Sequence, residues 1–299
     1  MRVGVGDDAA VLVPTPGRLL VVTTDVIVEG HHFTAALSAP ADWGWKAVAV
    51  NCSDVAAMGA VPRWLVLALT VPEGTPLARL DELYAGIGEA SGSFAVDLVG
   101  GDVSRGPALS LAITALGEAE RVVTRSGARP GDLLAVTGPL GAAAAGLGLL
   151  QRDDDAARRL LGRFPALAAA HRRPCPDLDA GPRFARAGAT AMLDVSDGLA
   201  GDALHLAEES ETGIEVDDRA VPLAPGVREA AELLGMDPVE LALGGGEDFV
   251  LAVALPPEVA AGQAVCGRFT RDPERRVRLT AQGELPLAGM GFDHFRAGC

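Results

Sequence analysis

Basic charge is scarce in this 299-residue chain: 25 Lys and Arg stand against 40 Asp and Glu, a formal net charge of -15. That balance excludes a nucleic-acid partner held in a basic groove. Cysteine is sparse as well. Cys52, Cys175, Cys266 and Cys299 lie far apart with no CxxC, so they imply neither a disulfide framework nor a zinc site, and they suit a reducing cytoplasm. His31-His32 is the only adjacent histidine pair, with no HxxxH or HExxH, and no GxxxxGK[ST] occurs, which excludes a P-loop enzyme. Apolar runs are broken by Gly, Pro or charge, so no transmembrane helix is expected. The start has no basic stretch followed by an apolar one, so no signal peptide is expected.

What is present is a core-forming composition, 49% hydrophobic, in a length that suits one large domain or two ordinary ones. Residues 18–24 predict a buried strand ending in Asp25, and residues 38–59 a helix with Pro40 in its first turn and Gly59 as its stop. Strands over 64–71, 95–99 and 108–117 and an amphipathic helix over 80–91 complete two strand-helix-strand stretches in the first ~120 residues, a typical domain size. The turn-rich segment 125–131 reads as a junction, which divides the chain into 1–120 and 121–299. Beyond it, strands are expected over 132–137, 190–193, 213–216, 249–255 and 276–279, helices over 141–150 and 199–210, a solvated helix face over 153–159, and an irregular Pro-rich stretch over 172–182.

Seven aspartates sit at Gly- or Ser/Thr-flanked points: Asp7 and Asp8, Asp25 after Thr23-Thr24, Asp54 after Ser53, Asp102 after Gly100-Gly101, and Asp194 and Asp197 around Ser196. So many carboxylates near so few bases are either scattered on the surface or converge on divalent cations, which take oxygen ligands and bridge to phosphates. Asp7-Asp8 reads equally as a capped turn, and Thr23-Thr24-Asp25 as an ordinary turn. Asp54 is harder to dismiss. Its i±3 and i±4 neighbours, Val50, Asn51, Ala57 and Met58, offer no ion pair within an apolar helix, and a buried carboxylate needs a partner. Gly100-Gly101-Asp102 fits either a hairpin or a phosphate approach beside a metal ligand.

Asp194-Val-Ser-Asp-Gly198 is the sharpest motif. Its aspartates flank a strand-to-helix switch where helix amides favour anions, though a capped helix start would use one of them too. Gly244-Gly-Gly-Glu247-Asp-Phe249 carries more glycine than a turn needs, which favours close ligand approach. Arg125 could donate to a polyphosphate or simply be solvated. With no nucleophile-base pair in view, the set points to positioning and electrostatics, the way phosphoryl transfer works.

GDDAAVL, TTDVIVEGHHF, KAVAVNCSDVAAMGA, LVGGDVSRG, TRSGARPGD, DVSDGL, GGGEDF and the terminal GFDHF resemble, in this order and over nearly the whole length, the thiamine-monophosphate kinase family. That family belongs with aminoimidazole ribonucleotide synthetase and selenophosphate synthetase. The resemblance implies a two-domain α/β (α+β) synthetase-like fold. Its N-terminal, mostly antiparallel sheet would pair into a dimeric β-barrel, and its C-terminal domain would be an α/β sandwich. It also implies ATP-dependent conversion of thiamine monophosphate to thiamine diphosphate, by direct in-line transfer with magnesium, in a cytoplasmic homodimer.

Carried over by motif, Asp8, Asp25, Asp54, Asp102, Asp194 and Asp197 are implied as magnesium ligands, with Thr23 and Thr24 at the same cluster. Gly101, Asp102, Arg125 and Ser196 are implied at ATP, and His32, Glu247 and Phe292 at thiamine monophosphate, with Asp7 behind the cluster. Asp54, Asp102, Ser196 and Asp197 are implied in catalysis.

Three departures stand out. The chain begins a few residues before GDD, where the family usually has a further helical segment. Val103 replaces a threonine, and Phe249 a tyrosine. They are expected to tune affinity rather than abolish chemistry. A selenophosphate synthetase would need a reactive cysteine near the N-terminus, and none precedes Cys52. A non-catalytic metal-binding dimer is the other alternative, opposed by ligands intact in both halves.

Overall fold

Parallel strands cannot be joined by a tight hairpin, so a parallel pair predicts a crossover, and a helix supplies it. The computed structural model, which describes residues 1–6 and 8–287, shows this in the first of its two compact units, Met1–Val122. The order is β1 (Leu19–Val28), α1 (Pro40–Ala57), β2 (Val61–Val71), α2 (Leu77–Phe94), β3 (Asp97–Arg105) and β4 (Ser110–Ala119). The strands form one sheet, β1-β4-β2-β3, with β2 and β3 parallel across α2 and β4 antiparallel to β1 and β2. The sheet is therefore mostly antiparallel.

Helix α1 is buried on most sides, through Val48, Cys52, Val55 and Ala56, and it lies against β1, β2 and β4. Helix α2 packs onto α1, and glycine permits the approach. A Cβ on Gly86 would fall 1.8 Å from the Ala41 carbonyl oxygen, and one on Gly44 2.1 Å from that of Leu83.

Two sequence expectations are corrected here. β1 is not a buried strand ending at Asp25. It runs on to Val28 as a mostly exposed edge strand, because the sheet is covered by helices on one face only. Gly100-Gly101-Asp102 is neither a turn nor a hairpin but the middle of β3, paired with β2.

The second unit begins at Val123. Its elements are β5 (Leu133–Val136), α3 (Ala142–Leu150), α4 (Asp155–Arg163), α5 (Pro165–Arg172), α6 (Ala180–Ala187), β6 (Ala191–Asp194), α7 (Leu199–Glu209), β7 (Gly213–Asp217), α8 (Val227–Leu234), α9 (Pro238–Gly244), β8 (Leu251–Leu255), β9 (Ala264–Thr270), β10 (Arg276–Thr280) and β11 (Gly283–Pro286). Seven strands form a mixed sheet, β11-β10-β7-β9-β5-β8-β6. Sheet residues Leu134, Val136 and Ala252 share one core cluster with Leu199, Ala203 and Leu206 of α7. Leu149, Leu167, Ala230 and Leu241 form another among α3, α5, α8 and α9.

The irregular stretch expected over 172–182 is shorter, because α6 starts at Ala180. Helices α5, α8 and α9 and strands β9 and β11 had no expectation from the sequence. Each is short, and their apolar residues are spaced by contacts rather than by a long period. Among the described residues no helix is long and apolar enough to cross a membrane.

The α1–α2 contact gives a direct test. Gly86→Ala should lower the unfolding free energy by roughly 1–3 kcal/mol, as overpacking against backbone does. Urea denaturation measures it, and Gly88→Ala, with open space around its Cβ position in the same helix, is the control that should instead gain about 0.5–1 kcal/mol from helix propensity.

Candidate active site: two groups of carboxylates

In the first unit, Asp54 lies in the last turn of α1 and is half-buried, and its Oδ2 accepts a 2.7 Å hydrogen bond from Thr23 Oγ1 on β1. As the helix neighbours suggested, this partner is not local: it is a hydroxyl from a strand 31 residues away. One turn earlier, buried Asn51 accepts from the Asp25 N–H at 3.0 Å and donates to the Ala47 carbonyl at 2.9 Å. Asn51 thus fixes the backbone that carries Asp25. Sequence reasoning did not single it out, although an amide inside an apolar helix was a usable signal.

Strand alternation puts Thr24 on the other face of β1 from Thr23 and Asp25. There its hydroxyl meets Thr114 Oγ1 at 3.2 Å and the Ile113 carbonyl at 3.0 Å. Asp102, exposed on β3, accepts from Ser104 Oγ at 2.8 Å. At Gly101 a Cβ would sit 2.2 Å from the Leu67 carbonyl oxygen, so glycine is required for strand pairing itself. Asp8 is exposed in the turn whose ends, Val3 and Val11, bridge; Asp7 lies outside the described residues. His32 is held on both sides. Its Nδ1 accepts from the Val28 N–H at 3.1 Å, and buried Lys46 donates to its carbonyl at 3.2 Å. With Nδ1 accepting, the neutral ring carries its proton on Nε2.

In the second unit, β6 ends in buried Asp194, and the chain turns through Ser196 and Asp197 into α7. Gly198 is the N-cap residue at φ 104°, and no side chain caps this helix, so the capped-start reading of the motif does not hold. A Cβ on Gly198 would lie 2.6 Å from the Leu243 carbonyl oxygen. Asp202, in the first turn of α7, is buried and accepts from the Asp197 N–H at 3.3 Å. Burial, then the neighbouring charges of Asp194 and Asp197, push the Asp202 carboxyl up to about 8, and the charge of Arg125 opposes them. Arg125, itself exposed, is therefore within electrostatic reach of this acid group. Asp202 was not anticipated; it is buried and close to the other two only through the fold of the turn.

Segment 244–249 closes against that turn. The Glu247 N–H donates to the Ser196 carbonyl at 2.8 Å and the Phe249 N–H to that of Val195 at 2.9 Å. Glu247 and Phe249 adopt φ of 58° and 49°, in the left-handed region that non-glycine residues rarely occupy. Asp248 accepts from the Gly141 and Ala143 amides at the start of α3, at 2.7 and 3.4 Å. Burial pushes its carboxyl up to about 6 despite these bonds. The Glu247 carboxylate lies 3.1 Å from Nδ1 of buried His171, a residue sequence reasoning missed. Phe292 lies outside the described residues.

Among the described residues no group of three or more His, Cys, Asp or Glu side chains is arranged to hold a metal ion. Magnesium does not demand one: it is held through one or two carboxylates, with waters and substrate phosphates completing its shell. Asp54 with Thr23, and Asp194 with Asp197, offer that hard-oxygen chemistry. Burial raises Asp202 most, and the added repulsion from Asp194 and Asp197 is of the kind a nearby cation relieves. The donors therefore fit magnesium. Cys52 fits no redox or nucleophilic role, since burial pushes its thiol up to about 12.

Residues 6–119 match the family described as AIR synthase related protein, N-terminal domain, and residues 129–275 match its C-terminal domain. The thiamine-monophosphate kinase of Synechococcus elongatus is 40% identical over 97% of this chain and 91% of its own length. That of Escherichia coli K12 is 35% identical over 99% and 92%. The solved structure of AaThiL complexed with AMPPCP and TMP superposes with a TM-score of 0.83 at 33% identity, covering 95% of this chain and 89% of that one. Hydrogenase maturation protein HypE shares the fold, with a TM-score of 0.73 at 23% identity.

The raised carboxyl of Asp248 sets a pH test. Its folded pKa lies above that of an exposed aspartate, so its contribution is full below about pH 4 and is lost as pH rises through about 6. The stability of Asp248→Asn relative to the parent should therefore improve by roughly 1–3 kcal/mol between pH 4 and pH 7. Urea denaturation at the two pH values reads it; an unchanged difference would show that Asp248 is not held in a strained ionic state.

Proposed function

The chain belongs to the thiamine-monophosphate kinase family, and on that premise we propose how its residues carry out the family's reaction. It is a thiamine-phosphate kinase, with ATP as co-substrate and thiamine monophosphate as acceptor. We read the transfer as a single in-line displacement. An oxygen of the thiamine monophosphate phosphate bonds to the γ-phosphorus as the bond to ADP breaks. That oxygen is already ionised at neutral pH, so no strong general base is needed, and the task left to the protein is to align two polyanions.

Asp8, Asp25, Asp54, Asp102, Asp194 and Asp197, with Thr23, are our proposed magnesium ligands; Thr24, expected beside them, is left out because its hydroxyl turns to the other face of β1. Bound there, magnesium would offset charge on the phosphates. Arg125, Ser196 and Gly101 are assigned to the ATP phosphates, Arg125 as a charge-assisted donor. His32, its ring oriented by Val28, and Glu247 are assigned to thiamine monophosphate. The proposed role of Phe292, an aromatic face for the thiamine ring, lies outside the described residues. The observation that carries the reading is the pair of carboxylate groups, one at Thr23 and Asp54 and one around Asp194, Asp197 and Asp202.

We also propose a homodimer formed through the uncovered face of the four-stranded sheet. Val22, Val26 and Val66 are 58%, 48% and 37% exposed there. The register aligns Val22 with Leu116, and Val26 with Ala112 and Ala68. An apolar sheet face of this kind asks for a partner. A cytoplasmic location fits the same reading.

ADP release by the purified chain should depend on both magnesium and thiamine monophosphate and should yield thiamine diphosphate. Asp54→Asn should lower kcat on the order of a hundredfold, the scale of losing one transition-state electrostatic contact. Turnover unaffected by chelation or by Asp54→Asn would sink the metal assignment. For the dimer, sedimentation of Val22→Glu/Val26→Glu should give a monomer where the parent gives twice that mass.

A further inference from the structure

Glu247 holds an unfavourable backbone conformation, φ 58°, in a turn whose main chain is tied down on either side of its side chain. Its own N–H is bonded to Ser196, the next residue caps α3, and the Phe249 N–H is bonded to Val195. Those bonds place the Cα. They do not choose among the rotamers of a glutamate, which has three rotatable side-chain bonds. That choice needs a contact at the carboxylate.

His171 makes such a contact. It sits in the last turn of α5, 6% exposed, with Nδ1 3.1 Å from Glu247 Oε2. A carboxylate oxygen only accepts, so Nδ1 must carry the proton in this bond. The glutamate side chain is 29% exposed, so the pair joins a shielded ring to a partly exposed carboxylate.

We propose that His171 is a positioning residue for the acceptor substrate: it fixes the Glu247 carboxylate in the rotamer that meets the cationic heterocycle of thiamine monophosphate. The inference rests on the assignment of Glu247 to that substrate. None of the residues assigned above to the ATP phosphates is His171 or Glu247, so on those assignments His171 acts on binding of one substrate alone. The geometry also distinguishes the two ring nitrogens. Asparagine places its amide nitrogen close to where Nδ1 lies and can replace the bond, whereas glutamine reaches towards the Nε2 position and cannot.

The experiment is steady-state kinetics on the full chain, varying each substrate, with thermal melts to confirm folding. His171→Ala and His171→Gln should raise KM for thiamine monophosphate about tenfold, the scale of one charge-assisted hydrogen bond. Both should leave KM for ATP and kcat within about twofold, and His171→Asn should recover most of the loss. In a Glu247→Gln background, His171→Ala should add little. Equal losses for both substrates, or no difference between His171→Asn and His171→Gln in folded protein, would overturn the proposal. If Glu247→Gln alone leaves KM for thiamine monophosphate unchanged, the assignment of Glu247 itself fails. If it raises that KM while His171→Ala does not, only the role of His171 fails.

Discussion

Two backbone hydrogen bonds, from Glu247 to Ser196 and from Phe249 to Val195, hold the second unit's functional turns together. They bring segment 244–249 so close to the turn after β6 that side chains are excluded. A Cβ on Gly246 would lie 2.4 Å from the Ser196 carbonyl oxygen, and Gly198 meets α9 backbone in the same way. The glycines of GGGEDF and DVSDG therefore serve each other first. Glu247 and Phe249 accept left-handed backbone, a strain of order 1–3 kcal/mol each, because the surrounding bonds over-determine it. Strain concentrated at such a place is what a pre-organised ligand site would need.

Charge repulsion is the second constraint. Asp202 is buried beside Asp194 and Asp197, whose charges outweigh the Asp197 N–H bond and the charge of Arg125. An apolar side chain at 202 would pack without that penalty, so the arrangement makes physical sense when positive charge arrives with a ligand. The contrast with Glu215 is instructive. Its side chain is also buried, yet Arg268 and Arg275 outweigh the burial and hold it below the usual carboxylate range. One acid is held charged by partners inside the fold, and the other is pushed towards its protonated form.

In the first unit the burden falls on neighbours of the acids. Asn51 secures the main chain at Asp25, Thr23 bonds Asp54, and Val28 and Lys46 hold His32. A helix buried on nearly every side, α1, carries three of these residues, Lys46, Asn51 and Asp54, and its rigidity is transmitted to them. The stacked Phe33 and Trp43 rings, 4.8 Å apart with Arg79 over Trp43, anchor the chain just after His32.

Much of this was legible in the sequence. The ordered aspartate and glycine motifs identified the family, and long periodic elements such as α1, α2 and β2 were readable because their apolar spacing extends over many residues. The short elements α8, α9, β9 and β11 were not, since a few residues carry too little periodicity to exceed local noise. What the sequence by itself determined is the chemistry available: oxygen ligands, close-approach glycines, and no cysteine ahead of Cys52. What only the tertiary structure decided is which groups meet. Thr23 reaches Asp54 across 31 residues and His171 reaches Glu247 across 76. It also turned an apparently buried strand, β1, into an exposed edge. The reason is physical: local sequence sets backbone preference and hydrophobic period, whereas a hydrogen bond between distant side chains exists only once packing has brought their backbones into register.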